Sequence, residues 1–566
     1  MSSFLKLIRI LLINVYRIDK EQKKTRLAMY ILMAVVFVPI LAGVCVFCFA
    51  AGKEIADKGL GVSADFLSMI FGAVVLIVFF FGLTAMLQVI FFSKDAEFLM
   101  SLPYSNVKLF LAKMSVVYIS ELLTSFVIIL PLMIAFGAGS AAGGLGVSAL
   151  YYIMIPFAII LLPLIPLLLI ALLSFPLMYI VNFFKNKSIM SLIGIMLLFV
   201  GFFAVYFLGI TALTGSASAS EGTELDPEFF SKLVIDFCTP ARYFYPVKFL
   251  SLFLLLQNPL VNILFFVLST AVLVGGAVFA AAKLYAKNIT SQLESQSAAS
   301  KTGIKYGTKS SSLERSLFIK EIKLLTRNTG TAFQSYLGMI MCPIILVFYS
   351  QTFSGLTQEN AQASVLMCFA MAMFLVPMMI CGLNYTAHIA FTREGKYFYM
   401  NKYLPVPYKL VFKVKTVFAT IIAGIGIVLS AITLAVMSFS ISGNAAAAFV
   451  NALLMCGASG IIAYSLNKLG IRRDLKRPKL NWNNIREALQ NNTYVMLPML
   501  ISSAGGIFLM IVGIILSALA GSGYLNIYIA YAAFWGTSYL VAVLIYVIFG
   551  MKKEEMSDEL FERIEC

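Results

Sequence analysis

Few side chains in this sequence have the type and spacing that chemistry requires. Cys45 and Cys48 stand in the CxxC order of redox and metal-binding pairs, but both lie inside an apolar run where a thiol behaves as a small hydrophobe. Cys342, Cys368, Cys381 and Cys456 are placed likewise. The single histidine, His388, lies near Asn384 and Arg393. With no second ligand at metal spacing, it reads as a polar contact at a helix end rather than a proton relay. Glu121 is an acid inside an apolar run, near one end, where it could be either a solvated anchor or a functional group. The string GIKYGTKS, Gly303 to Ser310, lacks the Gly-Lys-Ser/Thr ending that sets a lysine and a hydroxyl on phosphates and Mg²⁺, and no strand precedes it. No catalytic residue and no metal site is expected.

The elements that would carry these residues are membrane helices. Of the 566 residues 61% are hydrophobic and only 12% charged, against about 45–50% and about 25% in soluble domains. A hydrocarbon core about 30 Å thick is crossed by roughly 20 apolar residues as helix. Runs of that length begin near Leu27, Ala64, Ser115, Ala149, Ser188 and Pro259, then near Tyr336, Ala363, Thr416, Ala445, Tyr494 and Ile527. The expected fold is all-α and polytopic, with about twelve transmembrane helices in two six-helix repeats. The run from Ala149 to Val181 holds Pro156, Pro163, Pro166 and Pro176 and should kink or tilt.

Charge sets the orientation. Loops of one parity hold almost all of the 42 Lys and Arg, which is the asymmetry of the positive-inside rule. The net charge of +16 is thus read as topology, not as a nucleic-acid surface, and both termini are expected in the cytoplasm of a cell at its plasma membrane. The stretch Arg472, Arg473, Lys476, Arg477 and Lys479 is foremost such a signal, and could also meet anionic lipid headgroups. No cleavable signal peptide is expected, because Lys6, Arg9 and Arg17 interrupt the first apolar segment.

Between the halves hydrophobicity collapses into Ser, Gly, Gln and Lys, which divides the chain into a first unit (1–284), a flexible cytoplasmic linker (285–312) and a second unit (313–566) with a short tail. After the linker, SLERSLFIKEIKLLTRN places Lys320, Lys323 and Arg327 on one helical face and Phe318, Ile322 and Leu325 on another. The N-terminal stretch is similar, with Phe4, Ile8, Leu11 and Val15 on one side and Lys6 and Arg9 elsewhere. Each half therefore opens with an amphipathic helix expected to lie in the membrane interface.

A repeated segment follows the second span of each half: KDAEFLMSLPYSNVKLFLAKM and REGKYFYMNKYLPVPYKLVFKVK. At one offset Leu102 and Pro103 match Leu404 and Pro405, Phe110 matches Phe412, and Lys113 matches Lys415. The first of these, with Glu97 ahead of Ser-Leu-Pro and Lys113 behind it, resembles the permeases of type-2 ABC exporters; the second resembles them more loosely. In that family an interfacial helix precedes the first span and a short coupling helix joins the second span to the third. The resemblance implies a transmembrane permease subunit with no nucleotide site and no cofactor of its own, not itself an enzyme, with ATP and Mg in two partner ATPase subunits. It further implies export of a hydrophobic or amphipathic substrate and coupling to the ATPase through Glu97, Leu102, Pro103, Lys113, Leu404, Pro405 and Lys415. The family's extracellular segment between the fifth and sixth spans has a counterpart in the first half (Thr214 to Asn258), whereas the second half offers only GSGYLN. Two other readings stand beside it: an ion-coupled transporter of twelve spans, which would want mid-membrane charges that this chain nearly lacks, and a membrane enzyme or scaffold.

Overall fold

The computed structural model describes residues 3–16, 23–91, 96–144, 148–181, scattered positions between 190 and 201, 245–301, 312–327, 329–354, 361–403, 406–476, 478–480, 482 and 493–551. The protein is an all-α polytopic membrane protein, and among the described residues there is no strand. In lipid a backbone has no water to bond, so long apolar runs close their hydrogen bonds as helix. Ten described helices are long and apolar enough to cross a membrane, against the twelve expected. The fifth expected span, near Ser188, lies for the most part outside the described residues. The seventh corresponds to the helix Thr329–Ser354, whose shorter apolar part is Ser335–Val347.

The chain divides into two compact units: residues 1–17 with 37–304, and residues 18–36 with 305–566. In the first, the helix Ser63–Ile90 packs against Asn106–Ala142, Leu164–Val181 and the short Val247–Leu254. Phe66 and Phe136 stack at 5.3 Å between centroids, and Phe110 and Phe175 meet at 5.3 Å. The proline-rich run is one crossing made of two helices, Ala149–Leu161 and Leu164–Val181, broken next to Pro163, which has no N–H to donate. The helix Val247–Leu254 is held to Ser63–Ile90 by Lys248 on Asp65 at 3.1 Å and by Ser68 Oγ donating to Ser251 Oγ at 2.9 Å. The helix Pro259–Lys301 extends into the segment 285–312. The N-terminal helix Ser3–Tyr16 buries Leu7, leaves Lys6 and Arg9 exposed, and lies against Asn106–Ala142.

In the second unit, Tyr408–Ser442 runs antiparallel to Ala445–Lys476, the turn between them made by Gly443 in the left-handed region (φ +66°). Tyr408–Ser442 also packs on Thr329–Ser354, and Ala361–Val376 packs on Thr493–Gly521. Phe369, Met373, Met455, Phe534 and Trp535 fill the core among them. One crossing departs from regular helix. Ala361–Val376 loosens into a π-helical turn, Pro377–Gly382, and then breaks into Tyr385–His388, a 3₁₀ stretch Thr392–Tyr399 and Met400–Tyr403. Irregular backbone at membrane depth needs polar partners inside the protein, and these partners build the site.

Candidate functional site

Where the broken crossing ends, three elements of the second unit bring charged side chains together, all but the half-exposed Lys320 buried. Lys415, on the first turns of Tyr408–Ser442, is 2% exposed. Its Nζ donates to Glu321 Oε1 at 2.7 Å, to Glu394 Oε1 at 2.7 Å and to the Ala390 carbonyl at 2.9 Å, and lies 4.9 Å from the centre of the Phe391 ring. Glu321, from the helix Leu313–Arg327, turns its other oxygen to Arg393 Nη2 at 2.6 Å. Glu394 also accepts from Lys320 Nζ at 3.3 Å and from Asn401 Nδ2, while Lys320 Nζ donates to Asn401 Oδ1 at 2.7 Å. Two carboxylates thus hold three cations, and both carboxylates are satisfied. Arg393 Nε and Nη1 are buried and have no hydrogen-bond partner among the described residues.

Burial alone would raise the Glu321 carboxyl, but the Lys415 ammonium and Arg393 guanidinium beside it prevail and hold it below the ordinary carboxylate range. Breaking such a buried pair by removing one partner costs about 3–5 kcal/mol, because the other charge is left uncompensated.

A second polar knot adjoins the first. Asp474, near the end of Ala445–Lys476, accepts from Phe391 N at 2.6 Å, from Thr392 N at 3.0 Å and from the Thr392 hydroxyl. Trp482 Nε1 donates to the Thr392 carbonyl at 2.8 Å. Deeper in, Asn384 Nδ2 donates to Ala419 O at 3.0 Å and to Asn467 Oδ1 at 2.9 Å. His388 Nε2 lies 3.2 and 3.1 Å from the carbonyls of Cys381 and Gly382, which makes the histidine a tie across the break in the helix. No group of three or more potential metal ligands exists among the described residues.

Of the residues singled out by sequence, Lys415 and Lys320 join this network, whereas Lys323 is exposed and the Arg327 side chain lies outside the described residues. Leu404 and Pro405 also lie outside them. In the first unit Leu102 is half-buried, Pro103 exposed and Lys113 buried; Glu97 sits on the helix Ala96–Met100, its side chain undescribed. Sequence reasoning missed Glu321, Glu394, Asn401, Thr392 and Asp474. A signal for Glu321 existed. The buried stripe of Leu313–Arg327 is Leu317, Glu321 and Leu325, at helical spacing of four, with Ile322 at 40% exposure lying off it. An acid on an apolar stripe asks for a buried cation.

The arrangement holds no nucleophile with a base and no open acid–base pair. It can join elements mechanically: Leu313–Arg327, the segment 390–401, and the starts and ends of two crossings are fastened by charge-assisted bonds.

In comparisons with known proteins, the model of a family described as a putative ATP-binding cassette matches residues 19–465, more than three quarters of the chain. No curated protein and no solved structure matches. The family description overturns the identification as a type-2 exporter permease subunit and the function assigned with it, transport driven by separate ATPase subunits. It equally overturns the expectations that the chain is no enzyme, has no nucleotide site, and leaves ATP and Mg to partner subunits. Those expectations rested on two short segments and a missing loop motif; the match spans most of the sequence.

The node around Lys415 does not itself fit a nucleotide. A triphosphate wants a row of backbone N–H groups at a strand-to-helix loop with a lysine free to reach it. Among the described residues there is no strand, and the Lys415 ammonium is already committed to Glu321 and Glu394. The segment Gly303 to Ser310 lies outside them.

Proposed function

This chain belongs to the family described as a putative ATP-binding cassette, and from that premise we propose that it is a membrane-embedded working part of a transport system, in which the node around Lys415 transmits movement between a cytoplasmic-side segment and the crossing helices. The observation that carries this reading is the burial of Lys415 between Glu321 and Glu394, at 2.7 Å from each. A flexible loop joined to Tyr408–Ser442 would absorb a push; a loop fastened by ion pairs to the helix passes it on. The outer face of that segment is open, with Tyr397 at 67% and Tyr403 at 84% exposure beside the half-exposed Lys402. Aromatic side chains of this kind are typical anchors for a protein partner.

The same coupling role extends in this proposal to Glu97, Leu102, Pro103 and Lys113 in the first unit and to Leu404 and Pro405 in the second. The basic loops and both termini face the cytoplasm of the plasma membrane, as the positive-inside rule favours. The partner at the exposed tyrosines is a further protein module of the same transport system. Photo-crosslinkers at Tyr403 and, as control, at Tyr524 test this. Capture of such a module from Tyr403 alone, with transport lost in Lys415→Met while membrane insertion persists, is the expected outcome. No capture from Tyr403 together with normal transport in Lys415→Met would sink the proposal.

A further inference from the structure

The basic run that begins in the last turn of Ala445–Lys476 has a second property besides its weight in orientation: that turn has two faces with different work. On one face Ile471, Asp474 and Leu475 are buried, and Asp474 is fastened to the backbone of Phe391 and Thr392. The chain beyond returns to the same place, with Lys479 N donating to Thr392 Oγ1 at 3.1 Å and Trp482 Nε1 to Thr392 O at 2.8 Å. On the other face Arg472 and Arg473 are half-exposed and Lys476 is exposed.

Depth assigns that outer face a neighbour. Lys468 Nζ donates to the Gly550 carbonyl at 2.9 Å, where the last crossing ends, and we take this buried ammonium at the end of a crossing as the level at which both helices leave the apolar layer. A rise of about 1.5 Å per residue carries Arg472 and Arg473 roughly 6–8 Å further and Lys476 about 12 Å. The headgroup layer is about 5–8 Å deep on each side of the hydrocarbon core. Two guanidinium groups then lie at the depth of lipid phosphates, and a lysine with a flexible stem lies just beyond, able to bend back to them.

We propose that the Arg473–Lys476 face binds the phosphate groups of anionic phospholipids, and that the Asp474–Thr392 staple on the opposite face of the same turn makes this occupancy tighten the segment 391–403. The ligand chemistry is a phosphate monoanion, and its source is the bilayer. Because a helix turn is rigid, holding one face at the headgroups restrains the other.

The full chain in nanodiscs, probed by hydrogen exchange, tests this. In discs of phosphatidylcholine titrated with phosphatidylglycerol, peptides covering 389–403 should exchange more slowly as the anionic fraction rises. Each cation near the surface is worth about fivefold in affinity, so Arg473→Gln with Lys476→Gln should leave almost no protection at the fraction that half-saturates the native chain. High potassium chloride should erase the effect in the native chain, which keeps the test valid even for a double variant that folds poorly. Exchange in 389–403 indifferent to phosphatidylglycerol, or slowed equally in the double variant, overturns the proposal. So does equal slowing by inorganic phosphate in plain phosphatidylcholine discs, which would make the ligand a free ion.

Discussion

At the scale of the residue, Lys415 is the member whose loss strands the most charge. Lys415→Met keeps the length of the side chain and leaves Glu321 and Glu394 buried, with Arg393 and Lys320 the remaining cations among the described residues to answer them. The expected cost is about 3–5 kcal/mol of stability, measured by unfolding in a detergent titration, while Lys415→Met with Glu321→Leu should cost clearly less than the two single changes added together. Acid should act on the same bonds. Glu321 is held below the ordinary carboxylate range by Lys415 and Arg393 against the opposing pull of burial. Its contribution is therefore complete above about pH 4.3, the ordinary glutamate value, and is lost as pH falls through its lower folded value. The native chain should show an acid limb in stability that Glu321→Gln flattens, with both profiles level between about pH 6 and 8 as far as this group is concerned.

At the scale of the element, small residues decide which helices touch, and the structure separates glycines that look alike in sequence. A Cβ at Gly513 would stand 2.3 Å from the Ala370 Cβ, across the contact of Thr493–Gly521 with Ala361–Val376, whereas a Cβ at Gly424 meets nothing within 4 Å. Gly513→Ala should cost about 1–3 kcal/mol by overpacking, and Gly424→Ala should be neutral or gain up to about 1 kcal/mol from helix propensity; comparing their thermal unfolding checks the pair. Both glycines lie in apolar runs, and only the facing helix distinguishes them. Long crossings were legible for a related reason, since hydrophobicity alone forces a helix in lipid. The break after Val376 was not, because an apolar run gives no sign that His388 takes up the Cys381 and Gly382 carbonyls while Asn384 ties the broken stretch to Ala419 of the next helix. The node was half legible. Lys415 stood out through the repeat, but Glu321 and Asp474 act through distant partners that no local spacing names.

At the scale of the whole molecule, the alternation of basic and non-basic loops makes a claim that the packing of helices cannot make, because the same bundle would pack as well upside down. The proposed orientation rests on charge: moving several lysines and arginines across a bilayer is unfavourable, which favours keeping the loops that carry them on the side of synthesis. Within the second unit the two ends can be told apart by single side chains. Tyr403 lies at the end of the charged node and is 84% exposed, while Tyr524 lies between the last two crossings in a loop without Lys or Arg and is 86% exposed. Cysteine placed at either position, against the background labelling of the native thiols, reports its side to a membrane-impermeant maleimide. Tyr524→Cys should label in intact cells, and Tyr403→Cys only after permeabilisation. Labelling of both from the same side would mean that the crossings between them do not alternate as the charges require, and the cytoplasmic placement of the Lys415 node would fall with it.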